Sequence, residues 1–300
     1  MKRTIIAILA ACAFLPACMT NNMSKKVDDL VPMMFPPEKV SNYERDVVWA
    51  SPGGRDILLD VSWPEGDGPF PVLVWIHGGG WEQFSKEANE GLARYITNRG
   101  YTVFNVNYRM YPEVTMKTIV EDAMGAVAWA KAHAKDYNGD PSRLTVSGHS
   151  AGGHLAAMVL TMCGDEYFTP TWGGADADCR VDAAIPVSGV YDFVKRGSED
   201  IERWSEVFGV SQKQDPELYK KCSPLYQITS DLPPQLVVYA EEEGLREANE
   251  IWIEKLKEAG APVESYMELG VDHVWPTWHW REPAQNTYAR MVSFLDEQFK

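Results

Sequence analysis

The amino-acid sequence predicts an α/β fold, a mostly parallel eight-stranded sheet flanked by helices with a small cap insertion between strands six and seven. Three observations lead there. Apolar, β-prone runs recur near Val47, Leu58, Val72, Val103, Val146, Ala184, Val237 and Val263, and from the third run onward they alternate with helical stretches. That order describes a parallel sheet begun by an antiparallel pair. The pentapeptide Gly148-His149-Ser150-Ala151-Gly152 joins the fifth run directly to an apolar helical stretch over 153–162. Finally, 300 residues, 45% hydrophobic and 24% charged, are ample for one buried core and short for two full domains.

The first residues stand apart from this pattern. Lys2 and Arg3 precede an apolar stretch over 5–17 that ends in Leu15-Pro16-Ala17-Cys18. This is the signature of a secretory signal peptide, too short for a stable membrane span. Its end resembles a bacterial lipobox, in which the cysteine is lipidated and becomes the mature N-terminus. Leu9-Ala10-Ala11-Cys12 is a second local match, but it leaves a very short hydrophobic region. The expected organisation is therefore a signal peptide over 1–18 with lipidation at Cys18, a tether over 19–40 and a catalytic domain over 41–300. The resemblance implies an exported, membrane-anchored lipoprotein facing the periplasm or exterior; a plain cleavable signal would instead release a soluble periplasmic or secreted protein.

Within the domain, the strand Phe70-Pro71-Val72-Leu73-Val74-Trp75-Ile76 runs straight into His77-Gly78-Gly79-Gly80-Trp81. Three glycines free the backbone so that amides can face a ligand, although a glycine turn closing a strand reads the same way. Further on, Arg143-Leu144-Thr145-Val146-Ser147 is the strand that enters the pentapeptide. A serine on a tight strand-to-helix turn is a nucleophile elbow. Gly148 and Gly152 let neighbouring backbone pass close by, and Ser150 is left with its hydroxyl exposed. The helix that follows aims the Ala151 amide and the positive end of its dipole at the place where an oxyanion would develop.

A serine at its ordinary pKa is a poor nucleophile, so a histidine base and an orienting carboxylate must follow it in the chain. Among six histidines, His77 and His149 flank the glycine loop and the elbow. His133 falls on a charged helix face, His154 on the helix after the serine, and only His273 and His279 come late enough. His273 follows the strand-like 262–269 and the turn Gly270-Val271-Asp272; His279 reads as a surface residue among Trp275, Trp278 and Trp280. The preceding strand, Gln235-Leu236-Val237-Val238-Tyr239-Ala240, delivers Glu241-Glu242-Glu243-Gly244, three acids of which any could serve or all could be a solvated turn. Asp192, after the sixth run, is the next candidate. The long crossover over 194–232 carries Trp204, Phe208, Tyr219 and Tyr226, aromatics that suit either a cap over a pocket or ordinary packing.

These residues together resemble the α/β-hydrolase esterases and lipases, near the hormone-sensitive-lipase and bacterial carboxylesterase-like families. The likeness rests on His77 to Trp81, Asn107-Tyr108-Arg109 after a strand, Asp122 on the next helix, Gly139-Asp140-Pro141-Ser142-Arg143 before the elbow, and the continuation Gly152-Gly153-His154-Leu155. It implies an oxyanion hole from Gly79, Gly80 and Ala151. Relatives place the acid three residues after the small residue that ends the strand, a position held here by Ala240, which selects Glu243 with Glu242 as fallback. Two departures are glutamate for the commoner aspartate and alanine for the usual glycine at 240. The implied activity is serine carboxylic-ester hydrolysis of short acyl or aryl esters through an acyl-enzyme, with Ser150, His273 and Glu243 as triad. An arylformamidase resembling kynurenine formamidase shares the H-G-G and G-H-S-A-G-G patterns, and a binding protein on a hydrolase fold is the non-enzymatic alternative.

A net charge of −15 makes nucleic acid a poor partner. The sequence holds no Gly-Lys phosphate loop, dinucleotide fingerprint or H-E-x-x-H, so neither cofactor nor metal is indicated. Of Cys163, Cys179 and Cys222, the first two bracket a Gly/Asp/Trp loop and are the expected disulfide in an oxidising compartment.

Overall fold

The computed structural model describes residues 35–300. Cys12, Cys18, the leader and most of the 19–40 span lie outside the described residues. Phe35 is already against the domain, its ring stacked 3.8 Å from that of Trp280, and Glu38 holds Asn98 and Arg99.

Each apolar run becomes a strand: β1 (Asn42–Ala50), β2 (Ile57–Trp63), β3 (Phe70–Ile76), β4 (Thr102–Val106), β5 (Gly139–His149), β6 (Ala183–Val187), β7 (Gln235–Ala240) and β8 (Val263–Glu268). They form one sheet in the order β1-β2-β4-β3-β5-β6-β7-β8. β1 with β2 and β2 with β4 are antiparallel, and every pair from β4 to β8 is parallel. This is the α/β-hydrolase fold. Helices cover both faces, which is why the central strands are apolar throughout rather than alternating. Val72, Val74 and Ile76 of β3 join the core under α2 (Met116–His133) and α3 (Ala151–Met162). Leu73 and Trp75 point the other way, toward α1 (Glu90–Thr97) and α8 (Glu282–Phe299). Each such side chain, fully withdrawn from water, contributes about 1.5–3 kcal/mol.

The antiparallel edge is anchored by a buried ammonium. Lys86 Nζ lies 2.7 Å from Asp60, 2.8 Å from Asp46 and 2.9 Å from Glu87. Burial alone would push it toward neutrality, but its bonds to Asp46, Asp60 and Glu87 hold it above its ordinary pKa. Arg109 and Asp122 form a bidentate pair, Nε and Nη2 at 2.9 and 2.7 Å, tying the loop after β4 to α2.

The crossover after β6 folds into three short helices, α4 (Phe193–Glu199), α5 (Ile201–Phe208) and α6 (Pro216–Lys221). Asp192, Asp200 and Asp215 cap them, each accepting the amide three residues on. Trp204, Phe208 and Tyr219 are buried, whereas Tyr226 is exposed. Cys163 and Cys179 form a disulfide across 16 residues, a loop size whose closure is worth about 3 kcal/mol in the chain-entropy account. Cys222 is free and buried, and burial pushes its thiol pKa up. Helix α7 (Arg246–Ala259) returns the chain from β7 to β8. No helix among the described residues is long and apolar enough to cross a membrane.

Candidate active site

Parallel strands end on one edge of a sheet, and loops leaving β3, β5, β6, β7 and β8 meet there. β5 delivers Ser150 with φ 57° and ψ −114°, a conformation that costs a residue with a Cβ on the order of 1–3 kcal/mol. Two bonds hold it: the Ser150 amide donates to the Val187 carbonyl at 2.8 Å, and the His154 amide to the Ser150 carbonyl at 3.0 Å. The flanking glycines are required by space. A Cβ on Gly152 would sit 2.0 Å from the Ile76 carbonyl oxygen, and one on Gly148 2.5 Å from that of Gly152. Helix α3 starts at Ala151, two residues earlier than the apolar stretch over 153–162, and so its first amide has no acceptor within the helix.

His273 lies in the loop after β8. Its Nε2 is 2.8 Å from Ser150 Oγ and its Nδ1 2.6 Å from Glu243 Oε2. Nδ1–H donates to the carboxylate, leaving the Nε2 lone pair for the serine hydroxyl. The other carboxylate oxygen, Oε1, accepts from Ser188 Oγ at 2.8 Å and from the Ala240 amide at 2.9 Å. Glu243 is buried, while Glu241 and Glu242 are exposed. Glu241 accepts the Gly270 amide at 3.0 Å, and both neighbours extend the backbone pairing beyond the strands, to Glu268 and Val271. Asp192, besides capping α4, accepts from Tyr226 and is not joined to His273.

The remaining histidines pack and hydrogen-bond within the scaffold. His149 Nε2–H donates to the His273 carbonyl at 2.8 Å, with the two rings 4.8 Å apart. Burial, and secondarily the His273 charge, push the His149 pKa down to about 3. Burial also lowers His77 and His154 to about 4 each, so all three are neutral near pH 7. His279 is not the surface residue expected: its ring packs over Gly91, 2.2 Å from where a Cβ would stand. His133 likewise stacks on Trp129, 4.0 Å between centroids.

The loop after β3 lies beside the serine. A Cβ on Gly78 would be 3.2 Å from that of Ser150. Gly79, Gly80 and Trp81 follow with φ of 112°, 63° and 64°, a left-handed run that turns the backbone back on itself; a Cβ on Gly79 would strike the Gln83 carbonyl oxygen at 1.9 Å. The amides of Gly79 and Gly80 donate to no backbone acceptor among the described residues. Trp81 is fixed in turn, its indole N–H donating to His154 Nδ1 at 3.2 Å while His154 Nε2–H donates to the Cys222 carbonyl at 2.9 Å. Tyr108 donates to the His77 carbonyl at 3.1 Å from below.

The family model described as BD-FAE matches residues 59–248, from β2 into α7, and the matched span contains the glycine loop, Ser150 and Glu243. The chain belongs to the BD-FAE family. Among curated proteins this BD-FAE chain is 32% identical to Esterase LipQ of Mycobacterium tuberculosis over 81% of its own length and 58% of LipQ. It spans a little over half the length of the first curated relatives it matches. Among solved structures, Thermogutta terrifontis esterase 2 superposes with TM-score 0.74 at 26% identity, over 88% of this chain and 97% of that one. The Pyrobaculum calidifontis esterase gives 0.79 at 23% identity, over 98% and 97%, a likeness of fold.

Three contributors to this BD-FAE site were not anticipated from sequence. Ser188, itself at φ 47°, donates to Glu243. Asn249 accepts the Gly189 amide at 3.2 Å and the Tyr191 hydroxyl at 3.0 Å through Oδ1, which fixes the loop that carries Ser188. His149 holds the His273 backbone from behind. Only Ser188 left a visible trace, as a serine at the end of an apolar strand. No group of three or more His, Cys, Asp or Glu side chains placed to hold a metal ion occurs among the described residues.

Proposed function

We propose that the protein is a serine carboxylesterase acting on short acyl or aryl esters through an acyl-enzyme. The observation that carries the reading is the continuous relay from Ser150 Oγ through His273 to Glu243, 2.8 and 2.6 Å long. In the first half-reaction Ser150 Oγ attacks the ester carbonyl carbon as its proton passes to His273 Nε2, and Glu243 stabilises the imidazolium. The carbonyl oxygen takes up negative charge and is met by the amides of Gly79, Gly80 and Ala151. As the tetrahedral adduct collapses, the C–O bond to the alcohol breaks and His273 returns the proton to that oxygen. Water then repeats the sequence on the acyl-enzyme, releasing the acid and restoring Ser150. The named esterases among its relatives support this chemistry, and no step calls for a cofactor.

The glycine loop and the G-H-S-A-G-G run also suit a formamide, so the deciding measurement sets p-nitrophenyl acetate and butyrate beside N-formylkynurenine. The expected result is ester turnover preceded by a burst of p-nitrophenol equal to the enzyme present. Cleavage of the formamide without ester turnover would move the assignment to an arylformamidase, and no turnover at all would favour a binding protein.

Export with a lipid anchor on Cys18 belongs to the same proposal. The leader pattern over 1–18 supports it. In a bacterial host, Cys18→Ser is expected to shift the protein from the membrane to the soluble fraction; retention of that variant, with release by Cys12→Ser instead, would move the anchor to Cys12.

A further inference from the structure

The cap brings Arg203 to the mouth of the glycine loop, with Arg196 on the preceding short helix. Arg203 on α5 places a guanidinium nitrogen 3.5 Å from where a side chain on Gly80 would begin. Its ion pair there is one bond of 3.3 Å from Nη2 to Glu82. Arg196 on α4 is half-buried, and its guanidinium has neither a hydrogen bond nor an ion pair among the described residues. Every other arginine there except the exposed Arg281, which stacks on Trp278, is ion-paired.

Both arginines are mounted on the aromatic cluster that touches the loop. The Trp81 ring lies 5.3 Å from Phe193, three residues before Arg196, and 5.6 Å from Trp204, next to Arg203. Neither Asp192 nor Glu206 pairs with Arg196: Asp192 accepts the Lys195 amide and the Tyr226 hydroxyl, and Glu206 accepts the Tyr111 hydroxyl. Burial is the leading influence that lowers the Arg196 pKa, with Glu199 and Asp192 opposing and Arg203 adding to it. A guanidinium partly removed from water and left unpaired is unfavourable. In a chain of net charge −15, a guanidinium on the cap that forms no ion pair stays available to an anionic partner.

We infer that Arg196, with Arg203 beside it, receives a carboxylate carried by the substrate, so that the preferred esters are those with a free carboxylate within reach of the scissile bond. The planar fork of a guanidinium matches a carboxylate with two parallel hydrogen bonds, and Arg196 has its donors available. This inference rests on the carboxylesterase reading and narrows its substrate class.

The test compares mono-p-nitrophenyl glutarate with p-nitrophenyl pentanoate, acyl chains of equal carbon count that differ by a terminal carboxylate, using the full chain. The ratio of their kcat/KM values is independent of how much of a variant is folded. Wild type is expected to favour the glutarate by about tenfold or more, the scale of one well-placed charge pair. Arg196→Gln should lower that ratio about tenfold, mainly through KM for the glutarate; Arg203→Gln should lower it less, and Arg196→Lys should restore part of it. Raising salt from about 0.01 to about 1 M, which shortens the screening length from about 30 to about 3 Å, should shrink the ratio in wild type and leave that of Arg196→Gln nearly flat. A wild-type ratio near one, or a ratio that Arg196→Gln does not change, overturns the inference while leaving the esterase reading intact. Hydrolysis of neither ester overturns both.

Discussion

Replacing Ser150 by alanine is expected to lower ester hydrolysis by about 10⁶-fold, the scale of losing the nucleophile of a serine hydrolase triad, and to abolish covalent labelling by a fluorophosphonate. The hydroxyl has one side-chain partner, His273 Nε2 at 2.8 Å. The strained turn is held by backbone bonds to Val187 and from His154, which alanine keeps. The melting temperature should therefore remain close to that of wild type, so that lost activity cannot be ascribed to lost fold. Labelling of Ser150→Ala at the wild-type rate would place the nucleophile elsewhere.

Glu243→Gln should lower kcat by about 10⁴-fold, as removal of the orienting acid does in serine proteases, for a reason specific to this site. Oε1 accepts two donors, from Ser188 and from the Ala240 amide, and Oε2 accepts the His273 Nδ1–H. A glutamine must put its NH₂ at one of these places. At Oε1 it would confront the Ala240 N–H, donor against donor, which the backbone cannot relieve. Turned toward His273 instead, it makes Nδ1 the acceptor and moves the ring proton to Nε2, where it blocks proton transfer from Ser150. Glu241→Gln and Glu242→Gln alter exposed side chains outside this relay and should stay within a few-fold of wild type. Near-normal kcat in a folded Glu243→Gln protein would remove Glu243 from the mechanism.

How much of this was legible in the sequence depended on whether a contact is made within one strand end or between several. Ser150 and His273 could be located because each follows an apolar run at a tight turn. Glu243 needed the family's three-residue spacing, and the structure gives that spacing a physical cause: the carboxylate reaches back to the amide of Ala240. Ser188 showed in the sequence only as a serine at a strand end, since its role exists only where β6 lies beside β7; the role of His149 was invisible because its acceptor is 124 residues away. His279 was misjudged since a histidine among tryptophans reads the same whether it is wetted or, as here, packed over Gly91. The cap aromatics divided by burial, Tyr226 alone being exposed, a distinction that residue type does not carry.

The bridge through His154 bears on how such an enzyme can be rebuilt. One neutral imidazole accepts from Trp81 in the glycine loop and donates to the Cys222 carbonyl at the end of α6, and it rides on the helix that begins next to Ser150. Loop, helix and cap are thus three parts keyed to a single tautomer. Grafting a foreign cap that lacks a carbonyl at that point, or a loop without an indole, would strand a buried donor or acceptor, at about 1–3 kcal/mol for each group left unpaired. The cap is not an interchangeable module: a successful transplant must carry the loop tryptophan and the helix histidine with it, or replace all three by a set that is equally satisfied.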